Sequence, residues 1–367
     1  MSVTTRAPEI SREDLPEPPE LDRSHIRRRL LALGAVIVVV VAVITLVPGL
    51  AGLRSRFSHA HPGWLALGCL LKVLSGLSYV AVFRSVFCKR LSWRLSTEIG
   101  LSELGANAVV PTGGVGGLAL GAWALRRAGM STDRIARRSV AFFFLTSVPN
   151  VVGVIVLGLG MALGLLEGPT SLALTLLPGL IAAGAIVLTI AAGRWAGRAQ
   201  RRSAERSHPR ARLPRVLGTL SGGVEESLVL LRQHDPWLIA GLIGYLGFDV
   251  MILWSTFHAF GASPDLAVIW MGYLIGELGG LIPIPGGIGG VDLGLVGMLV
   301  LFHVPVAEAT AAVLAYRALA LWIPAVMGAG AFVLLRRTLA RESSSIASCQ
   351  PGGEVDVIGR GRVRMTG

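Results

Sequence analysis

The sequence predicts an all-α polytopic membrane bundle, about six full spans plus two re-entrant hairpins in an inverted internal repeat. Three observations carry this. Of 367 residues, 53% are hydrophobic and only 15% charged, a balance foreign to soluble domains. The arginines gather in short segments between long apolar runs. Finally, the apolar stretch Glu277 to Gly294, ELGGLIPIPGGIGGVDLG, is full of helix breakers and has a second copy at Glu103 to Gly121, ELGANAVVPTGGVGGLALG.

Taken in order, residues 1–25 mix Pro, Glu, Asp and Ser with little to bury, and read as a disordered cytoplasmic tail. HIRRR at 25–29 precedes LLALGAVIVVVVAVITLV, long enough to span the hydrocarbon core. A cleaved signal peptide is the competing reading, weakened by the long acidic leader and the absence of a small-residue cleavage motif. Trp64 opens a second span to about Val82, interrupted by Lys72, and FRSVFCKRLSWR at 83–94 is basic. A second basic stretch, Arg126, Arg127, Arg134, Arg137 and Arg138, follows the first motif copy. Both flanks want one side. At about 1.5 Å per residue, the intervening 97–125 is too short for two crossings of a core near 30 Å, so a hairpin of half-helices fits.

Ser139 to Leu166 crosses outward and Leu172 to Gly193 returns. The Arg-rich loop 194–215 is the strongest cytoplasmic marker, and Val216 to His234 reads as an amphipathic interfacial helix with Glu225 and Glu226 on its polar face. Trp237 to Phe260 crosses outward. The second motif lies within 266–303, between the loops GASPD and HVPVAE, neither of which holds Lys or Arg. This hairpin is either re-entrant or two short spans. Ala309 to Leu335 returns to Arg336, Arg337 and Arg341. The membrane domain is thus 26–340, with repeat halves at about 64–193 and 237–335, and 341–367 is a second disordered cytoplasmic tail. Basic segments on one side place both termini in the cytoplasm.

The net charge of +12 follows this positive-inside pattern and implies no nucleic-acid partner. Cys69, Cys88 and Cys349 are odd in number and form no CxxC or Cys/His cluster, so they suggest neither a disulfide framework nor a zinc site. No cofactor or metal is expected, and no Walker A motif is present.

The repeat locates the site. Gly113, Gly114, Gly116, Gly117, Leu120 and Gly121 recur as Gly286, Gly287, Gly289, Gly290, Leu293 and Gly294. Paired Gly/Pro-interrupted segments in two halves point to a transporter's binding site. GGxGG before a helix either offers backbone N–H groups to phosphate or serves close packing and hinging; the sequence leaves both open. Ionisable groups inside spans cost about 2.5–3.5 kcal/mol each on insertion scales, so each one is a functional candidate. Arg317, in AAVLAYRALALWIP, is the sharpest, either binding a headgroup or pairing with Asp292 or Glu277. Asp292 either holds Arg317 or contacts a cationic headgroup. Glu103 and Glu277 occupy matching ELG positions, as a gate or a proton or cation relay, as helix N-terminal caps, or as groups exposed at the interface. Lys72 and Asp249 pair across the bundle or line its cavity. His258 reads as interfacial and Glu98 as surface.

NAVVPTGGVGG at 107–117 with RRAGMS at 126–131, and IPIPGGIGGVD at 282–292 with Ala315-Tyr316-Arg317, resemble the lysylphosphatidylglycerol synthase transmembrane-region family, the flippase-like domain of the multiple peptide resistance factors. The resemblance covers about 30–340. It implies a membrane domain that translocates phospholipids such as aminoacylated phosphatidylglycerol, or works in cardiolipin or polyprenyl-phosphate pathways. Relatives usually carry Glu where this chain has Asp292, and often a Glu-Arg pair where it has Phe142, Phe143 and Phe144. The hydrophilic residues after Arg341 are too few for a synthase domain, so synthase activity is not expected to carry over. The expected function is a non-enzymatic lipid translocase of the inner (plasma) membrane, with phospholipids or polyprenyl-phosphate lipids as partners and oligomerisation left open. The rival readings are an integral membrane enzyme or accessory subunit acting on lipid-linked substrates, and a non-catalytic assembly partner.

Overall fold

The computed structural model describes residues 59–109, 115–127, 130–168, 212–277 and 290–341, with scattered helical positions between 175 and 195. The expected first span, both tails and the loop from 196 to 211 lie outside the described residues.

The elements are α1 (Pro62–Phe87), α2 (Trp93–Val109), α3 (Val115–Arg127), α4 (Thr132–Ala162), α5 (Arg212–Arg232), α6 (Pro236–Ala259), α7 (Leu266–Glu277), α8 (Gly290–Leu301) and α9 (Val306–Arg341). Among the described residues, four helices are long and apolar enough to cross a membrane: α1, α4, α6 and α9 through Leu339. They match the spans expected at 64–82, 139–166, 237–260 and 309–335. The span expected at 172–193 is described only at scattered positions, and the first not at all. α4 starts at Thr132, earlier than the apolar run, because Asp133–Arg137 pairing at 2.9 Å supports a basic turn that extends the helix beyond the hydrocarbon. The polar capping residues sit where helices begin. His61 accepts from the Gly63 N–H at 3.3 Å and Asp235 from the Trp237 N–H at 3.1 Å, each with proline at the first helical position.

Helix directions follow from a few contacts. His61 N–H donates to Ala259 O at 2.8 Å, while Lys89 reaches Asp235 at 3.0 Å, so α1 and α6 are antiparallel over their length. Gly241 makes this approach close: a methyl there would come within 2.9 Å of the Ser78 carbonyl. Gly68 packs on Leu319 and Gly76 on Met327, so α9 runs parallel to α1. The bundle therefore has a basic end, holding the α1 and α9 C-termini and the α6 N-terminus. At the opposite end, the described loops 59–61, 163–168, 260–265 and 302–305 contain no Lys or Arg.

Aromatic belts mark both interfaces. Trp64, Trp254 and His258 stack at one end, with centroids 4.2–5.2 Å apart. At the basic end, Trp93 stacks on Trp237 at 5.0 Å and lies under Arg84 at 4.6 Å. From Trp64 to Arg84 along α1 is about 30 Å, the thickness of a hydrocarbon core.

Both motif copies fall between short helices packed as hairpins. α2 enters from the basic end, where Trp93 meets Trp237, and reaches the middle of α9, where Gly105 lies against Pro324 and Gly328. α3 returns beside it, Gly117 against Asn107 and Gly121 against Glu103. The second hairpin opens at the other end. There Asp265, before α7, and Phe302 to Pro305, after α8, line one cavity of about 450 Å³ with Glu167, Gly168 and Glu308. Deeper in, Gly272 packs on Leu299 and Gly276 on Leu295. With 12 residues each, α7 and α8 reach about 18 Å, too short for two crossings of a 30 Å core, which favours the re-entrant reading.

α5 lies along α4 at the basic end, Gly223 against Val140 and Glu226 paired with Arg138 at 2.8 Å. Its expected polar face is therefore half protein-facing. Cys88, contrary to the expectation from the cysteine count, is disulfide-bonded.

Candidate functional site

At the centre, Lys72 of α1 donates to Asp249 Oδ1 of α6 at 2.8 Å, and Ser75 Oγ donates to the same oxygen at 2.8 Å. Lys72 is 6% exposed. It sits about 12 Å along α1 from Trp64, well inside the hydrocarbon. An isolated ion at this depth would be strongly unfavourable, and the pair with its hydroxyl satisfies the charge in place. Of the two readings of Lys72 and Asp249, the structure shows the pair.

A second ion pair joins α8 to α9, Arg317 Nε lying 3.0 Å from Asp292 Oδ1, with side chains 34% and 21% exposed. The guanidinium thus chooses Asp292 rather than Glu277. Asp292 lies in the first turn of α8, where the helix dipole favours an anion. Glu277, half-buried at the C-terminal end of α7, feels the charges of Asp249, Arg317, Lys72 and Asp292. Two cations and three carboxylates from α1, α6, α7, α8 and α9 thus form one electrostatic cluster.

Glu103 belongs to the first hairpin. It is 5% exposed, halfway along α2, with Oε2 enclosed and, among the described residues, without a hydrogen-bond partner. Its carboxyl interacts with the Tyr79 hydroxyl, and a methyl on Gly121 would come within 2.7 Å of Oε2. The helix-cap alternative fails for both glutamates, since Glu103 is mid-helix and Glu277 closes a helix. Glu98, expected at the surface, is buried and paired with Arg94 at 3.1 Å.

Gly113, Gly114, Gly286, Gly287 and Gly289 lie outside the described residues. Gly116 and Gly117 fall in the first turn of α3, and the Gly117 N–H donates to Asn107 Oδ1 at 2.8 Å. That amide is engaged by the protein itself, so at Gly117 the close-packing reading holds over the phosphate-cradle reading. Gly290 opens α8.

Sequence reasoning passed over Asn107, Ser75 and the tyrosines. The chain has four tyrosines, and all line this interior. Tyr79 stacks on Tyr245 at 5.5 Å; Tyr316 donates to the Tyr273 oxygen at 3.3 Å. Tyr245 feels Asp249, Glu277 and Glu103. A buried phenol seeks a partner, so four tyrosines confined to apolar runs were the available signal.

Comparison with protein-family models matches residues 31–328 to the family described as Lysylphosphatidylglycerol synthase TM region. No curated protein matches the chain. The matched range takes in both hairpins and every ionisable residue of the interior cluster, and with it the chain belongs to the lysylphosphatidylglycerol synthase transmembrane-region family.

Proposed function

We propose that this protein is a non-enzymatic lipid translocase that moves a phospholipid or lipid-linked phosphate headgroup across the inner (plasma) membrane. The observation that supports it best is that two hairpins enter from opposite ends of the bundle, and that the second carries Asp292 and Glu277 into a cluster of charged side chains with Lys72, Asp249 and Arg317. Opposed hairpins of this kind are the elements by which inverted-repeat transporters expose one site alternately to two sides. Arg317 is half-exposed and, among the described residues, ion-paired with a half-exposed carboxylate, so an incoming phosphate diester can exchange with Asp292 as its anionic partner. Lys72 and Asp249 are sealed in and hold the helices that frame the path. Acyl chains stay in lipid while the headgroup passes between α7, α8 and α9.

The basic end is assigned to the cytoplasm by the positive-inside rule. A reconstituted assay with headgroup-labelled lipids tests the reading on wild type and Arg317→Ala. Wild type is expected to equilibrate label between leaflets and the variant to slow this at least ~10-fold, about 1.4 kcal/mol in barrier. No equilibration by wild type would remove the proposal.

A further inference from the structure

The second hairpin's carboxylates, Asp292 and Glu277, have cations within reach, whereas Glu103 of the first hairpin has none among the described residues. Among the described residues, Tyr79 is the group that hydrogen-bonds Glu103, and Oε2 is enclosed without a partner. The groups around it are few. From α1 come Tyr79 and, about two turns on, Lys72, which Asp249 already holds. From α6 comes Tyr245, stacked on Tyr79 at 5.5 Å. From α3 comes the Gly121 backbone, with Arg126 and Arg127 at the far end of that helix; α9 offers Pro324 and Gly328 beside Gly105, and α4 offers Phe142 against Tyr79 at 5.2 Å. On α2 itself, Glu98 is engaged with Arg94 toward the basic end.

Such an enclosure accommodates a neutral acid at far lower cost than a carboxylate, which there requires water or a cation. Gly121 leaves room for the carboxyl and nothing larger, so admitting water means moving α3 away from α2.

The geometry points to Glu103 as a proton-binding site that gates the first hairpin: a proton from water at the basic end adds to the Glu103 carboxylate and closes α3 onto α2, and its return to water opens them. The inference rests on the translocase reading and names the ion that regulates it. The Tyr79 hydroxyl is a positioning group that donates to the carboxylate. The alternation of Glu103, Tyr79, Tyr245, Asp249 and Glu277 then forms a polar file from one hairpin to the other.

Two readouts on the full chain in liposomes test this separately. In pH-difference infrared spectra, wild type is expected to show a titrating carboxyl carbonyl band that Glu103→Gln loses and Tyr79→Phe shifts; a band unchanged in Glu103→Gln overturns the proposal whether or not lipid moves. In the headgroup-label assay across a pH titration, wild-type rates are expected to change about 10-fold, within the usual range of coupling between sites, and Glu103→Gln to flatten the profile. A Glu103→Gln profile that tracks wild type overturns the gate while leaving the translocase reading intact. Absence of any wild-type transport removes the translocase reading, and the gate with it, while the infrared arm still judges Glu103 as a proton site.

Discussion

The two hairpins share a backbone device and differ in charge. Each is a pair of short helices flanking a Gly/Pro motif, with glycines at the crossing points. The second carries Asp292 on Arg317 at 3.0 Å, with Glu277 nearby; the first carries Glu103 against a tyrosine. Setting Gly121 on Gly294 places Phe144 where the second half has Arg317. Its neighbour Phe142 is buried against Tyr79 and Phe87, at 5.2 and 6.0 Å. The lesson is that two hairpins of similar build enter the bundle from opposite ends, while the side chains at matching motif positions differ in charge and burial. One half holds a cation exposed enough to meet an anion, and the other holds an acid sealed from it.

Both hairpins lean on one frame, and breaking it gives the largest expected effect. Lys72→Met leaves Asp249 buried without its cation, which costs about 3–5 kcal/mol, and adding Asp249→Leu restores most of that. Thermal unfolding in detergent of the single and double variants checks it; equal stability of wild type and the single variant would mean the pair carries no structural load.

Next comes the first hairpin's seat. Gly105 and Gly328 meet backbone to backbone, where a Cβ on Gly328 would fall within 2.7 Å of the Leu101 carbonyl. Gly328→Val is expected to destabilise by about 1–3 kcal/mol and to loosen α2 before α7. Hydrogen exchange resolved by segment reports the order, and earlier exchange in α7 would contradict it.

The headgroup comparison is sharper in function than in stability. Arg317→Ala, at a half-exposed pair, should cost no more than about 1 kcal/mol in unfolding while slowing translocation at least ~10-fold. A variant as fast as wild type would leave the charge difference between halves without a role in transport.

The smallest effect lies outside the spans. Although burial pushes the Asp235 carboxyl up, the hydrogen bonds from Lys89, Trp237 N–H and Ser85 and the Lys89 charge hold it below its ordinary value. A lowered folded value means the contribution is fully present above about pH 4, the unfolded carboxylate range, and is lost as pH falls through the folded value. Asp235→Asn should therefore be less stable than wild type by under about 1 kcal/mol at neutral pH, with the gap closing in acid. A gap that persists in acid would point to the cap rather than the charge.

Much of the fold was legible because its causes are local sums. A run of about 20 apolar residues is a span whatever it packs against, and Pro and Gly interrupt a helix wherever they stand. Arg134, Arg137 and Arg138 marked the basic end the same way. The site was legible only as membership: Arg317, Asp292, Glu277, Glu103, Lys72 and Asp249 each declared themselves by charge inside an apolar run. The tyrosines carry no charge and were not singled out as site residues.

From the chain alone, then, came the membrane location, the twin broken segments and the set of ionisable residues within the spans. Tertiary structure alone decided the partners: Lys72 with Asp249 across 177 positions, Arg317 with Asp292 in preference to Glu277, Asn107 on the Gly117 amide, Glu103 with the Tyr79 phenol. The reason is that these helices are apolar on every side, so periodicity does not say which face turns inward. Helix rotation and depth are set by close approaches such as Gly105 to Gly328 and Gly241 to Ser78, and those contacts exist only once distant segments have met.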